Sequence, residues 1–479
     1  MRSDARTYIF IIVVMVLTFV MIAPIELRAE VAADEPIYDV AWSAALGGEG
    51  RDELFDAAPA LDGGAFMVGA ADSPADDAIG MLDAWALRLN ADGETVWSRR
   101  FGGSADDRFT RVTPLADGGA ILLGETSSDD GQVRLHRGGV DAWVVRVDER
   151  GDMIWQKSLG GAADDRLTTM VISEEMIVLA GETRSYTQDL TSNQGGADAW
   201  VCAIQLDTGR SIWHDSVGGK GDDRFKFLLP ADSGWLLVGE WTRTDEGEPR
   251  VQPFRFTITS DGKERSRAIL AFKYDAWVYD AVARDGGWII AGKTNAENSD
   301  GWIGTLTASG AFSVSYLEGN TDGEIRRIFA FFDGLVVALG QVSTSESRLT
   351  GLHGARDAWV IEQSARALQW QQALGGSGAD TPLALVRRSD GRFVIAMQTD
   401  SIDGDLSLRA EGRVGWLALL DTNGNLIDDQ IIAPFSDQEW SMCSVSARSE
   451  LLLIGRAVID NGETRAVAVK LTPSQHNSK

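Results

Sequence analysis

The chain has 479 residues, of which 44% are apolar, so it can fill one large core or several smaller ones. Its formal net charge of −27 repels phosphate backbones and anionic headgroups, and we therefore expect no nucleic-acid partner. With 52 Gly, 11 Pro and no low-complexity tract, the composition is typical of a protein with many tight turns.

The N-terminal segment has the pattern of an export signal. Two arginines precede an apolar run over residues 8–23, and small residues such as Ala29 and Ala33 offer cleavage positions. Residues 1–33 are therefore predicted to be a signal peptide, or an N-terminal anchor if they are not cleaved. We expect an exported protein, periplasmic or extracellular, that touches a membrane only through this segment if it is retained.

Residues 34–472 contain an internal repeat, and self-similarity at a fixed spacing indicates a repeat architecture. The stretch WSRRFGGSADDRFT begins at Trp97, and near copies begin at Trp155 and Trp213. A Trp before Gly-Gly recurs at Trp42, Trp97, Trp155, Trp213 and Trp370. A second column of Trp follows Asp-Ala or a similar pair at Trp85, Trp143, Trp200, Trp302, Trp359 and Trp416. Both columns are predicted to pack between sheets.

Each repeat is predicted to hold four antiparallel strands, which we name a (FTRVTPLA), b (AILLGE), c (AWVVRVD) and d (DMIWQKSL). The Asp117-Gly118 pair between strands a and b predicts a type I′ turn. A glycine that ends strand b marks seven repeats, at Gly69, Gly124, Gly181, Gly239, Gly292, Gly340 and Gly455, and Ala396 takes the eighth position. Eight four-stranded units predict an all-β, eight-bladed β-propeller.

The two ends of the repeat region support a closed ring. The segment YDVAWSAALGG is a strand d with no strand a, b or c before it, whereas TRAVAVKLTP is a strand c with no strand d after it. The N-terminal strand is therefore predicted to complete the last blade, which pairs two edges that would otherwise be exposed. Residues 473–479 are predicted to be a disordered tail.

Segments such as IQLDTGRSIWHDSVGG resemble the Trp-docking repeats of quinoprotein-type (PQQ-like) eight-bladed propellers. The fuller pattern of Gly-Gly, Asp, Asp-Gly-Gly, Gly-x-Thr-x-Ser and Asp-Ala-Trp is similar to repeat proteins exported by many bacteria. The resemblance implies the fold and leaves the function open, because propellers include enzymes, receptors and scaffolds. Quinone enzymes of this kind often carry an adjacent Cys pair, whereas Cys202 and Cys443 are far apart, so no quinone and no other cofactor is expected.

The connection from strand d to strand a supplies the candidate ligand-binding residues. An Asp stands two residues before the first apolar residue of strand a at Asp52, Asp107, Asp165, Asp223, Asp275 and Asp380, and Asp322 and Asp437 stand one step earlier in the other two blades. Arginines follow directly at Arg108, Arg166 and Arg224. Strand a is innermost in a propeller, so these side chains are predicted to surround the channel mouth and to hold a cation or polar ligand. Alternatively, each Asp caps its own Gly-Gly turn and each Arg pairs with a neighbouring blade.

Other candidates have a structural interpretation in the sequence. Asp83, Asp141, Asp198, Asp300 and Asp357 open strand c and are predicted to lock a turn. Trp277 lies as far before an Asp-Gly turn as Phe109 does, so both are predicted to fill the first apolar position of strand a. Asp400, Asp403 and Asp405 are a weak calcium candidate, and Trp241 is a candidate for stacking on a sugar. No His, Cys or nucleophile motif has catalytic or metal spacing, so no catalytic residue and no metal site is predicted.

Loop length separates the two ends of the predicted ring. The connections from b to c are long and polar, as in TSSDDGQVRLHRGGV, and lie at the same end as the connections from d to a, whereas the turns from a to b and from c to d, at the other end, are short. Because function concentrates in loops on a rigid scaffold, we expect a non-enzymatic, monomeric binding or scaffold protein that contacts a protein or cell-envelope component there. The alternative is a hydrolase or lyase that acts on a polysaccharide through acidic residues at the channel mouth.

Overall fold

The computed structural model describes residues 36–74, 77–186, 193–244, 247–295, 301–317, 323–343, 349, 351–354, 356–364, 367–407, 412–459 and 461–474. The predicted signal or anchor (1–33) and all but the first two residues of the predicted tail (473–479) lie outside these ranges. Residues Ile37–Pro473 form one compact unit. Among the residues that the structure describes, none belongs to a helix that could span a lipid bilayer.

The described residues form 32 β-strands in eight four-stranded antiparallel sheets. In chain order they are β1 (Tyr38–Leu46), β2 (Glu53–Pro59), β3 (Ala65–Ala71), β4 (Asp83–Leu89), β5 (Thr95–Phe101), β6 (Asp107–Pro114), β7 (Ala120–Thr126), β8 (Asp141–Val147), β9 (Met153–Leu159), β10 (Asp165–Ser173), β11 (Met176–Thr183), β12 (Asp198–Gln205), β13 (Ser211–Val217), β14 (Arg224–Ala231), β15 (Gly234–Arg243), β16 (Arg250–Ile258), β17 (Glu264–Ile269), β18 (Ala276–Arg284), β19 (Gly287–Thr294), β20 (Gly301–Thr307), β21 (Phe312–Tyr316), β22 (Gly323–Ala330), β23 (Leu335–Ser343), β24 (Arg356–Ser364), β25 (Ala367–Leu374), β26 (Asp380–Arg387), β27 (Phe393–Thr399), β28 (Val414–Leu420), β29 (Leu426–Ile432), β30 (Ser436–Val445), β31 (Leu451–Val458) and β32 (Thr464–Pro473).

The sheets are the blades of a closed eight-bladed β-propeller. Blades 1 to 7 are β2–β5, β6–β9, β10–β13, β14–β17, β18–β21, β22–β25 and β26–β29, and blade 8 has the order β30-β31-β32-β1. Strand β1 pairs antiparallel with β32, from Tyr38 opposite Pro473 to Leu46 opposite Ala466. Strand β30 contacts both β26 and β2, so the last blade meets the first. The predicted fold and its closure by the N-terminal strand are confirmed.

The hydrophobic core lies between the blades. In the described residues eight apolar clusters form, and each joins two neighbouring sheets. Between blades 1 and 2, for example, Phe66 packs with Phe109, whose ring stacks on Trp143 with centroids 5.2 Å apart. Strands b and c are buried on both faces, which explains their continuous apolar runs.

Each of the five Trp residues of the first column joins its blade to the next. Trp97 of blade 1 donates its indole N–H to the carbonyl of Glu149 at 3.1 Å, in the turn from c to d of blade 2. Its ring covers Gly151 (φ +79°), where an added Cβ would lie 2.6 Å from the indole. The same Trp-on-Gly contact recurs for Trp42 on Gly93, Trp155 on Gly209, Trp213 on Gly262 and Trp370 on Gly424. The spacing of Trp and Gly in the repeat therefore encodes contacts between consecutive blades.

In seven blades the glycine that ends strand b lies directly against the backbone of strand a, next to a bulge in that strand. Strand β6 shifts register between Phe109 and Arg111, and this brings the Arg108 carbonyl oxygen within 1.9 Å of the point where a Cβ of Gly124 would lie. Any larger residue there collides with the backbone. The prediction for blade 7 was wrong by one residue, because Met397, opposite Pro382, takes the position assigned to Ala396.

The turn from a to b also differs from its prediction. Gly118 has a φ of +85°, whereas Asp117 is absent from the described residues with positive φ, so the pair is not a type I′ turn. The Gly118 N–H donates to the Leu115 carbonyl at 3.2 Å, and the Leu115 N–H donates to the Gly119 carbonyl at 2.8 Å. These bonds define a longer hairpin loop with glycine at the single left-handed position.

Candidate functional site

The two Asp residues of the repeated Asp-Asp pair hold two different loops. The second Asp of blade 3, Asp165, accepts the N–H of Gly161 at 2.7 Å and closes its own Gly-Gly turn. The hydroxyl of Ser185, from the Gly-x-Thr-x-Ser motif, donates to the same carboxylate at 2.7 Å. The first Asp, Asp164, accepts the N–H of Val140 at 3.1 Å, in the b to c loop of the preceding blade. The motif therefore ties three connections together.

The same lock recurs around the ring. The second Asp accepts the turn N–H from Gly48 at 2.6 Å (Asp52), Gly103 at 2.8 Å (Asp107), Gly219 at 2.6 Å (Asp223) and Gly376 at 3.0 Å (Asp380). These carboxylates and Asp165 are only 0–2% exposed. The five therefore lie beneath the turns, and this geometry matches the turn-capping interpretation of the sequence.

Asp275 does not occupy the position that the sequence assigned to it. Ala276 pairs with Thr294 as Asp107 pairs with Thr126, so Asp275 corresponds to the first Asp of the pair. Its carboxylate accepts the N–H of Val251 at 2.9 Å. The error arose from Trp277, which lies opposite Lys293 and so matches Arg108 rather than Phe109.

In blade 8, Gln438 takes the place of the second Asp of the pair, and its N–H donates to the Arg413 carbonyl at 2.8 Å. Asp437 stands one step earlier, has a φ of +40° and pairs with Arg413 at 3.2 Å. Asp322, the candidate of blade 6, lies outside the described residues.

The Asp residues that open strand c lock the b to c loops. Asp83 accepts the N–H groups of Ile79 at 2.9 Å and Gly80 at 2.8 Å. Asp141, Asp198 and Asp357 accept equivalent loop N–H groups from Arg137, Gln194 and His353 at 2.8–3.0 Å. Asp300 lies outside the described residues. Where the Asp that opens strand c is described, its carboxylate therefore holds the end of the b to c loop that enters strand c.

Buried carboxylates meet in pairs at this end of the ring. A Cβ on Gly160 would lie 2.3 Å from Asp141 Oδ1 and 2.7 Å from Asp165 Oδ2, and Asp141 Oδ1 has no hydrogen-bond partner among the described residues. Burial raises the pKa of Asp141 to about 6, and the charge of Asp165 adds to this effect. Burial likewise raises the pKa of Asp223 to about 6, with Asp198 as its neighbouring charge.

The predicted arginines form a ladder of ion pairs across blades. Arg108 pairs with Glu125 at 2.8 Å, and Arg166 of the next blade approaches the same carboxylate at 3.5 Å. Arg224 pairs with Glu240 at 3.2 Å. Each Glu stands on strand b opposite or beside an Arg of strand a, so the pairs line the innermost surface of the ring.

In these ion pairs, and in the pair of Arg326 with Glu324 at 2.6 Å, the cationic member is the more exposed one. Glu240 and Glu324 are 3% and 5% exposed. By contrast, the side chains of Arg108, Arg224 and Arg326 are 44–47% exposed. The surface that meets solvent inside the channel is therefore richer in positive charge than the residue count suggests.

A cavity of about 850 Å³ opens along this surface, within the size range of small-molecule sites. It is lined by Arg111, Arg166, Thr168, Gly181, Glu182, Arg224, Phe225, Lys226, Phe227, Tyr279, Asp280, Glu324, Arg326 and Arg327. Six of these residues are cationic and three are acidic, in a chain whose net charge is −27. Most of them lie in the first half of strand a, nearest the d to a connections, so the cavity belongs to the long-loop end.

Of the residues that line this cavity, the sequence predicted Arg166 and Arg224 but not the other charged ones. Arg111, Arg326 and Arg327 fall within strand a, and Glu125 and Glu240 fall at the end of strand b, at positions where the repeated motifs do not fix the residue type. The sequence does carry a signal for such a surface. The residue after the second Asp of the pair and the residue before the Thr of the Gly-x-Thr-x-Ser motif are charged in several repeats. Only the ring closure shows that residues from five blades share one space.

The remaining candidates have partners within the protein. Asp403 accepts the N–H of Ser377 at 2.7 Å and Asp405 accepts the N–H of Gly375 at 3.1 Å, so both hold a d to a turn. Trp241 packs edge-on against Phe254 with centroids 5.5 Å apart. In the described part of the chain, no group of three or more His, Cys, Asp or Glu side chains is placed to hold a metal ion. Cys202 and Cys443 are both buried and do not form a disulfide.

Comparison with known proteins finds similarity only in structure. No family model matches the chain, and no curated protein resembles it in sequence. A quinohemoprotein alcohol dehydrogenase from Comamonas testosteroni superposes over 91% of this chain and 76% of its own, with a TM-score of 0.47 and 8% identity. One from Pseudomonas putida gives the same coverage with a TM-score of 0.46 and 10% identity.

A puromycin hydrolase is also similar, at 14% identity and a TM-score of 0.43, over 89% of this chain and 60% of its own. At such identities the likeness concerns the fold alone.

Proposed function

We propose that this protein is an exported, non-enzymatic binding or scaffold protein that contacts a protein or another cell-envelope component through the long-loop end of its ring. The observation that carries the proposal is the difference between the two ends. The long b to c connections span residues 72–82, 127–140, 184–197, 344–355 and 400–413, whereas the opposite end has turns as short as 174–175 and 285–286.

Anchoring of these loops supports a recognition role. The described Asp residues at the start of strand c, together with the Asp-Asp pairs, tie loop backbone to the rigid ring. Loops that are held in this way lose less conformational entropy when a partner binds. Exposed apolar side chains, among them Met81, Leu135 and Tyr186, lie on these loops and offer contact area.

The alternative, a polysaccharide hydrolase or lyase, has less support. Its candidate acids were the Asp residues of the d to a connections. The five that take the second place of the Asp pair are buried and accept hydrogen bonds from their own turns. A general acid or base must reach the substrate, which these groups do not do without opening the turns.

Site-specific crosslinking tests the proposal. A photoreactive residue at Met81 or Leu135, on the long-loop end, is expected to capture one partner from an envelope extract of the source organism. The matched positions are Leu61 and Phe332, which are at least as exposed but lie in a to b turns at the other end. Capture only from Leu61 and Phe332, or turnover of a polysaccharide by the pure protein, would contradict the proposal.

Export is part of the same proposal, and we expect residues 1–33 to direct it. Cell fractionation of the source organism measures the location of the protein, and we expect it in the periplasmic or extracellular fraction. Recovery of all of the protein from the cytoplasm would contradict this part of the proposal.

A further inference from the structure

The middle of the channel contains two arginines with equivalent positions in opposite blades. Arg111 of blade 2 and Arg327 of blade 6 are each the first residue after the bulge in strand a, opposite Leu123 and Leu339. Blades 2 and 6 are four places apart in a ring of eight, so the two residues stand on opposite sides of the channel. Both side chains are exposed to the channel and line the 850 Å³ cavity.

Each arginine has an acidic neighbour that is already engaged by the backbone. Asp56 accepts the N–H groups of Val112 at 2.8 Å and of Ala57 at 3.0 Å. Asp280 accepts the N–H groups of Ile328 at 2.7 Å and of Ala281 at 2.9 Å. The two carboxylates therefore hold adjacent blades together.

Among the described residues, neither guanidinium forms an ion pair, because no carboxylate lies within 4.0 Å of Arg111 or Arg327. Within the same part of the chain, the Arg111 guanidinium donates only to the carbonyl of Thr110, at 2.8 Å. Two guanidinium groups in one cavity, each with most of its donors free, favour a ligand that supplies acceptors to both.

We propose that the channel is a binding site for a small anion with two or more carboxylate or phosphate groups, held between Arg111 and Arg327. The planar fork of a guanidinium matches both of these acids and binds them through two parallel hydrogen bonds. Arg224, Lys226 and Arg326 extend the positive surface toward the long-loop end, where the anion enters. The site is independent of the partner proposed above, and either one can exist without the other.

Titration calorimetry at low salt, with citrate for the carboxylate arm and pyrophosphate for the phosphate arm, tests the site on the full-length protein. We expect at least one of them to bind, and Arg111→Gln or Arg327→Gln to weaken binding by about tenfold or more, as loss of a charged hydrogen bond implies. Maltotriose is the uncharged probe. Arg99→Gln is the matched control, because Arg99 is an exposed arginine on the outermost strand of blade 1.

Absence of binding by both anions at millimolar concentration, or equal binding by wild type and the Arg111→Gln/Arg327→Gln protein, overturns the proposal. Circular dichroism confirms that each variant is folded. If the glutamine variants do not fold, Arg111→Lys and Arg327→Lys keep the charge and remove the fork, and they are expected to weaken binding while Arg99→Lys does not. Added salt is expected to weaken binding of the wild type.

Discussion

Carboxylates in this protein work mainly as acceptors for the backbone, and their burial has a consequence for stability. Asp141 and Asp165 lie on either side of Gly160, and the pair formed by Asp198 and Asp223 is equivalent. A carboxyl with a raised pKa binds its proton more tightly in the folded state than in the unfolded state. Proton binding by Asp141 and Asp223 therefore makes its full contribution to the free energy of unfolding below about pH 4, the ordinary pKa of Asp. That contribution is lost as the pH rises through about 6.

Asp141→Asn is expected to stabilise the protein above pH 7 by about 1 to 3 kcal/mol, because it removes the repulsion and keeps an acceptor for Arg137 and Ser158. Thermal unfolding measured from pH 4 to pH 8 should show a flatter dependence on pH for the variant than for wild type. Asp92→Asn, an exposed turn residue, controls for the change in net charge. A variant that is less stable than wild type at every pH contradicts this assignment.

At the scale of the element, the structure of the d to a turn explains why the Gly-Gly and Asp-Asp-Arg motif is repeated in the sequence. The first Asp of the pair holds the loop of the preceding blade, the second closes the turn, and the Arg that follows faces the channel. One short segment thus connects a loop, a turn and the inner surface. The repetition is required by the architecture and does not need a ligand.

Asp165→Ala is expected to destabilise the protein by about 2 to 4 kcal/mol, because the Gly161 N–H and the Ser185 hydroxyl lose their buried acceptor. Chemical denaturation measures the loss, and Asp152→Ala, in an exposed c to d turn, is the control. Unchanged stability combined with lost binding of a cation or polar ligand would restore the ligand-binding interpretation of the sequence.

The Trp-on-Gly contact is a second element whose energy is measurable. Trp155→Ala and Gly209→Ala each disturb the same contact, since an added Cβ at Gly209 would lie 2.9 Å from the Trp155 ring. The double variant is therefore expected to lose at least about 1 kcal/mol less than the sum of the single losses. Trp155→Ala combined with Gly118→Ala, a turn glycine that does not touch Trp155, should be additive. Additivity in both cycles would contradict the docking role.

The sequence predicted the blades well because the repeat fixes both the strands and the contacts between them. It failed where a local change in turn length altered the register. Blade 5 has a two-residue turn at Asp285-Gly286 where blade 2 has residues 115–119, and this moved Trp277 and Asp275 one position from their assigned places. Linear spacing cannot detect such a change without the hydrogen-bond pairing.

At the scale of the whole molecule, function depends on what closure of the ring brings together. Arg111 and Arg327 are 216 residues apart in the sequence, and they line the same cavity only because the ring closes. No local pattern identifies such a site, because each arginine alone resembles an ordinary strand residue. The long loops likewise form one surface only because every blade presents its b to c connection at the same end.

The most direct measurement is therefore strand complementation at the closure. A chain that starts at Gly47 lacks β1 and leaves the edge of β32 unpaired. We expect it to melt well below the full-length protein and to aggregate, and we expect a synthetic peptide of residues 36–46 to restore the melting temperature. A peptide with Trp42→Ala should restore it less, since Trp42 packs on Gly93 of blade 1. Full stability of the shortened chain without the peptide would contradict the closed ring, and with it the channel site and the long-loop end.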